Sequence, residues 1–126
     1  MATAPVFAST PRSAQVSIAT ANANRDGTGT VGTLFTAGAS GSKVEEVRIT
    51  PRVTTTAGMV RLYVHTGAAY FLYGEYAIAA LTLSATVPAV TTTITYDNLV
   101  LPTGYSLRCS TEKAEAIDVH AFGGDF

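Results

Sequence analysis

The stretch MVRLYVHTGAAYFLYGEY, residues 59–76, decides the fold class of this chain. Two short runs rich in Val, Leu, Tyr and Phe lie on either side of the turn residues Thr66-Gly67-Ala68, a pattern that predicts a β-hairpin. Large side chains stand at odd and even positions alike. Since successive side chains of a strand point to opposite faces, both faces of this hairpin need cover.

The length of the loop decides which hairpin side chains share a face, because a slip of one residue turns every side chain over. A two-residue loop, Thr66-Gly67, directs Glu75 towards the core, where a lone carboxylate is costly. We therefore favour a three-residue loop, which pairs Leu62 with Leu72. The face away from the core then carries a candidate protein interface: Arg61, Tyr63, Phe71, Tyr73 and Glu75.

A cluster of large aromatic side chains on an outer face is more typical of a contact surface than of a solvated one. We favour an interface with another protein. Cover by an arm or loop of the same chain is the second interpretation, and a ligand groove is the third.

The rest of the chain repeats short runs rich in Thr, Val, Ile and Tyr between Gly, Pro, Asn and Asp turns. About eight such strands predict an all-β, antiparallel β-sandwich of the jelly-roll type. The apolar period shifts between Val44 and Val47, which indicates a β-bulge near Glu45-Glu46. Pro51 indicates a strand end or edge, and residues 110–116 are too short for a stable helix and are predicted to be a loop or single turn.

A length of 126 residues predicts one domain. Residues 1–12 contain Pro5 and Pro11 and have no helical period, so we expect an extended N-terminal arm there and the β-sandwich domain in residues 13–126. The first residues show neither the basic segment nor the apolar core of a secretory signal peptide.

Charged residues make up 13% of the chain and the formal net charge is −1. This is about half the usual charged share of ~25%, so we expect neither nucleic acid nor a membrane surface as a partner. No apolar run approaches the ~20 residues of a membrane-spanning helix. So few charges are typical of a protein that hides part of its surface in an assembly.

No motif combines the residues that catalysis or metal binding requires. His65, His120 and Glu75 have the residue types of a metal triad, but their number and spacing differ from those of metal-binding jelly rolls. We expect His65 to be a turn residue and His120 a surface or interface residue. Cys109 shares a strand face with Leu107, which predicts a buried thiol. We therefore expect no enzymatic activity, no cofactor and no metal.

Two segments, TTTAGMVRLYVHTG (residues 54–67) and YDNLVLPTGYSLRCSTEKAEAIDVHAFGGDF (residues 96–126), carry a resemblance to known proteins. Sequence segments such as LPTGYSLR and the final HAFGGDF resemble segments of small structural proteins of tailed-bacteriophage virions. In size and pattern the chain is similar to jelly-roll capsid decoration (cement) proteins.

The resemblance implies a non-enzymatic protein on the outer capsid surface of the virion, synthesised in the host cytoplasm. Its partners would be the major capsid protein and copies of itself, as a homotrimer. A neck, tail or spike position is also compatible. In a spike or fibre the sandwich would bind carbohydrate, with Tyr70, Tyr73 and Tyr76 stacking on sugar rings.

Overall fold

The computed structural model describes residues 8–126, which fold into eight β-strands without an α-helix. The strands are β1 (Thr10–Ile18), β2 (Gly32–Thr36), β3 (Ser42–Pro51), β4 (Gly58–His65), β5 (Tyr70–Ile78), β6 (Thr92–Leu101), β7 (Ser106–Thr111) and β8 (Ile117–Asp125). Over the same residues no helix is long and apolar enough to cross a membrane.

The strands form two four-stranded sheets with the orders β1-β8-β3-β6 and β2-β7-β4-β5. All strand pairs are antiparallel, and the first strand pairs with the eighth, the second with the seventh, the third with the sixth and the fourth with the fifth. Apolar side chains of both sheets fill the space between them, among them Val44, Val47, Ile49, Val60, Leu62, Leu101, Leu107 and Val119. The prediction of an all-β antiparallel sandwich is confirmed.

Several local features follow the sequence pattern. The register of β3 against both of its neighbours shifts between Val44 and Glu46, as the break in apolar period predicts. Pro51 is the last residue of β3, where its missing N–H costs the least. Cys109 is buried in β7, and the chain after Thr111 is a loop up to β8.

The N-terminal arm was predicted over residues 1–12, but Thr10 to Arg12 belong to β1 and pair with the end of β8. Proline is compatible with this position since β1 is an edge strand, which has a neighbour on only one side. Arg12 is also anchored: its guanidinium donates to the Thr36 carbonyl and to Asp125, and lies 4.3 Å from the centre of the Phe35 ring. Residues 1–7 of the predicted arm lie outside the described residues.

Both registers considered for the β4–β5 hairpin were wrong. His65 pairs with Tyr70, so the loop has four residues, and the register shifts once, between Leu62 and Tyr63. Beyond this shift Arg61 pairs with Glu75. The fourth loop residue places the β5 side chains near the tip on the face opposite to the predicted one. A bulge at Tyr73 adds one residue to β5, so the side chains beyond it lie on their predicted faces again.

The bulge explains why the predicted faces are right at one end of the hairpin and wrong at the other. Glu75 lies with Arg61 on the outer face, as expected. Phe71 instead pairs with Val64 and shares its face. Tyr73 reaches towards the opposite sheet, where its ring packs edge-on against Tyr96 with 5.3 Å between ring centres.

Candidate protein interface

The outer face of β4 is covered by the chain itself. Residues 19–31, which we call the covering loop, join β1 to β2 and cross this face. The Asn22 carbonyl accepts a hydrogen bond from Arg61, and the Asn24 carbonyl accepts one of 2.8 Å from the Tyr63 hydroxyl. Arg61 and Tyr63 are therefore only 2% and 1% exposed. The second interpretation of the sequence, cover by a loop of the same chain, describes this part of the predicted interface.

An ion cluster holds the covering loop over the sheet. Oε1 of Glu75 accepts hydrogen bonds from Nε of Arg25 in the loop at 2.5 Å and from Nε of Arg61 in the sheet at 2.7 Å. These hydrogen bonds, with Arg25 contributing most and Arg61 second, hold the pKa of Glu75 below its ordinary value. Glu75 thus compensates the charge of a buried guanidinium, which would otherwise be very costly.

The tip of the hairpin is held by aromatic contacts under the same loop. The Tyr70 ring meets Tyr63 edge-on and lies 4.4 Å from the His65 ring, measured between ring centres. Its hydroxyl accepts a hydrogen bond of 2.9 Å from Arg108. Gly27 of the covering loop lies directly against the Tyr70 side chain, so Tyr70 supports this loop.

Phe71 and Tyr73 of the predicted interface lie on β5, an edge strand of its sheet, and are 58% and 43% exposed. Leu72 between them, which was predicted to face the core, is 41% exposed. Because these residues are consecutive and the strand is bulged, apolar surface is exposed on both faces of the edge. The structure therefore separates the five predicted residues into Arg61 and Tyr63, buried on the outer face, Glu75, paired with Arg61 at its margin, and the exposed Phe71 and Tyr73 on the edge.

The edge strand β6 of the other sheet lies opposite β5. The hydroxyls of Tyr76 and Tyr96 are 2.7 Å apart and link the two edges by a hydrogen bond. Burial, and then the bond to Tyr76, raise the pKa of Tyr96 far above its ordinary value, so this hydroxyl stays protonated. The pair closes the sandwich on this side, which we call the β5–β6 side: β5, β6 and the segment 79–91 that joins them.

The β5–β6 side carries six of the seven large apolar side chains that are exposed among the described residues. Besides the three on β5, they are Val87, Val90 and Val100. The sequence contains a signal for this surface: from Leu62 to Tyr96 the only Asp, Glu, Lys or Arg is Glu75, which is already paired. A pocket of about 180 Å³ lies where segment 79–91 meets the strand ends, and its lining includes Ile78, Leu81, Leu83, Ala89 and Val90.

The other residues considered for chemistry are far from forming a site. His65 ends β4 and His120 lies in β8, so the two histidines belong to different sheets. Within residues 8–126 no three His, Cys, Asp or Glu side chains are grouped as metal ligands would be. Burial raises the pKa of Cys109 to about 12, which keeps the thiol protonated at neutral pH.

The three tyrosines considered as a sugar-stacking platform do not share one surface. Tyr70 is engaged by Arg108 and the covering loop, and Tyr76 is bonded to Tyr96 across the sandwich. Of the three, Tyr73 is the one with a largely exposed side chain.

No protein-family model matches the chain, and no curated protein or solved structure is detectably similar to it.

Proposed function

We propose that this chain is a non-enzymatic structural protein of a bacteriophage virion, a capsid decoration protein that binds and stabilises the outer head shell. The observation that carries the proposal is the β5–β6 side, on which exposed apolar residues concentrate while charges are almost absent. Exposed apolar side chains concentrated on one side of a domain are typical of protein contact sites. A protein that works by assembly needs such a surface and no catalytic group.

The proposal includes a jelly-roll sandwich. Its support is the strand order: the chain pairs first with eighth, second with seventh, third with sixth and fourth with fifth. This is the order produced when a ribbon of four antiparallel strand pairs is rolled into two sheets, as in the jelly rolls of viral capsid domains. The resemblance of LPTGYSLR and HAFGGDF to phage virion proteins supports the same proposal.

The proposed partners are the major capsid protein and other copies of this chain, arranged as a homotrimer on the outer surface of the particle. Cyclic assembly would bury the exposed residues of β5 in repeated, identical contacts. Each of the three aromatic and aliphatic side chains on β5 can remove a large apolar area from water. Synthesis would take place in the host cytoplasm before assembly.

Location on the particle is tested directly by electron cryomicroscopy of purified virions that carry a tagged copy of this chain. Tag density on the outer face of the head shell is the expected result. Density at the neck, tail or a spike would move the protein to the alternative structural position, and particles without the tag would overturn the virion role.

Binding to the shell is tested by mixing purified chain with particles that lack it and sedimenting them. We expect the chain to co-sediment at a fixed ratio to the major capsid protein and to raise the temperature at which the shell opens. A chain that stays in the supernatant as a stable monomer would contradict the decoration role.

A further inference from the structure

The outer face of the sheet β1-β8-β3-β6 differs from the outer face of the other sheet, since its side chains are exposed or half-buried rather than covered by a loop. Register places alternate residues of the four strands in rows across this face. The middle row is Gln15, His120, Arg48 and Thr93. We call this surface the open face; most of its side chains end in hydroxyl, amide or charged groups.

Two ion pairs lie on the open face. Arg52 donates two hydrogen bonds, of 3.1 and 3.0 Å, to the carboxylate of Asp118, and Arg48 donates one of 2.9 Å to Glu46. Asp118 and Glu46 therefore each have a basic partner, and this part of the face offers many hydrogen-bonding groups with little net charge. A ligand that matches it is polar, rich in donors and acceptors, and uncharged.

A groove on the open face supplies a place for such a ligand. It measures about 210 Å³ and is lined by Gln15, Val16, Ser17, Arg52, Asp118 and His120. This is below the ~300–1,000 Å³ of sites for drug-sized ligands, so the groove suits one ring of a longer chain. Next to it the rings of His120 and Phe122 are parallel within 1°, with 6.2 Å between their centres.

We propose that this groove binds one sugar residue of a neutral glycan. Asp118 keeps lone pairs that accept from vicinal hydroxyls, Arg52 orients its carboxylate, and Gln15, Ser17 and His120 supply further donors and acceptors. The face of the His120 ring, which lines the groove, contacts the C–H groups of the sugar. The site is complete within one copy of the chain, so it stands independently of the proposed virion role.

The test is a titration of the full, isotope-labelled chain with neutral oligosaccharides of glucose, galactose, N-acetylglucosamine and rhamnose, followed by NMR. Sugar concentrations up to about 10 mM reach the weak affinities of a single shallow site. We expect saturable shifts of backbone amides at Gln15, Ser17, Asp118 and His120. The absence of saturable shifts with every neutral sugar, or shifts centred on Tyr73, would overturn the proposal.

Variants distinguish a specific sugar-binding site from a polar surface that binds no sugar. Gln15→Ala and His120→Ala should each weaken the binding of the best sugar by about 2–10-fold, the loss expected for one hydrogen bond. Tyr73→Ala on β5 is the matched control and should leave binding unchanged. Equal binding by all three variants, or binding only to sulfated sugars that disappears with salt, would contradict a neutral-glycan site.

Discussion

Gly27 shows how one residue lets the covering loop lie on the sheet. Its φ is +85°, a conformation that L side chains rarely adopt, and a Cβ at this position would lie 2.3 Å from Cγ of Tyr70. The neighbouring Asp26 carboxylate accepts hydrogen bonds from the backbone N–H and the hydroxyl of Thr28, which fixes the turn. The Asp26-Gly27 turn is thus fixed by local hydrogen bonds, and it also places Gly27 directly against Tyr70.

Gly27→Ala should therefore destabilise the chain for two reasons, backbone strain and a clash with Tyr70. Gly104→Ala is the matched control, because Gly104 has the same φ of +85° but no atom within 4 Å of the added Cβ. We expect about 1–2 kcal/mol for the control from backbone strain alone. Gly27→Ala should cost ~1–3 kcal/mol more, as overpacking does. Denaturant unfolding measures both, and equal losses would mean that the loop does not press on Tyr70.

The hydrogen bond between Tyr76 and Tyr96 gives a second prediction for single residues. Tyr76→Phe and Tyr96→Phe should each lower the free energy of unfolding by about 1 kcal/mol, the usual net value of one hydrogen bond. The double variant should lose less than the sum, because the first substitution already removes the bond. Additive losses in this cycle would show that the two hydroxyls bond to water instead of to each other.

Among the elements, β5 is the edge strand with the most exposed apolar surface. The other edges are protected differently: β1 contains Pro11, β2 has five residues, and β6 carries the exposed Asp97. The one charge of β5, Glu75, is neutralised by arginines of its own subunit. Such an edge is open to contact with another chain.

Phe71→Asp should abolish the proposed self-association and shell binding while leaving the fold intact, because a buried, unpaired carboxylate is strongly unfavourable in an interface. Size-exclusion chromatography with light scattering measures the first effect and thermal unfolding the second. Ser13→Asp on the opposite edge strand β1 is the matched control and should still assemble. Loss of folding together with assembly would place Phe71 in the core of the subunit.

Tyr73→Asp should also weaken assembly more than folding, but its effect on stability should be the larger of the two substitutions. The reason is its edge-on contact with Tyr96, which Phe71 does not share. Burial accordingly raises the pKa of the Tyr73 hydroxyl. A smaller loss of stability for Tyr73→Asp than for Phe71→Asp would contradict this packing.

At the scale of the whole molecule, carboxylates tie distant parts of the chain together. Asp125 accepts hydrogen bonds from the Ser42 hydroxyl and from Arg12, joining the end of β8 to β3 and β1. These contacts, Ser42 first and Arg12 second, hold the pKa of Asp125 below its ordinary value of 3.8. Arg52 does the same for Asp118.

A carboxyl whose pKa is lower in the folded chain stabilises it above the unfolded pKa, and this contribution is lost as the pH falls through the folded pKa. We therefore expect stability to decline below about pH 4, where the unfolded chain begins to bind protons. The cycle Arg12→Gln, Asp125→Asn and the double variant checks this. It should show coupling at neutral pH that shrinks as the pH falls below about 4; coupling of the same size at every pH would contradict an ionic contribution from this pair.

The sequence predicted the strands well because the information is local. Short runs of β-forming residues between turns predicted about eight strands, the shift after Val44 located the β3 bulge, and Pro51 marked a strand end. The hairpin register was not predicted because the loop has one residue more than expected and β5 has a bulge at Tyr73. The two differences offset each other at Glu75, which therefore lies on the predicted face although the pairing near the tip is different. The extent of β1 was missed because a proline in an edge strand has the same local pattern as an arm.

By itself, the sequence determined the all-β class, the buried thiol of Cys109, the scarcity of charge and the need for cover on both faces of the 59–76 hairpin. Only the tertiary structure decided what covers each face, because cover depends on contacts between residues far apart in the chain. Arg61 and Tyr63 are buried by a loop some 40 residues away, at Asn22 and Asn24. Phe71 and Tyr73 remain exposed since β5 lies at the edge of its sheet, a position set by the pairing order of all the strands.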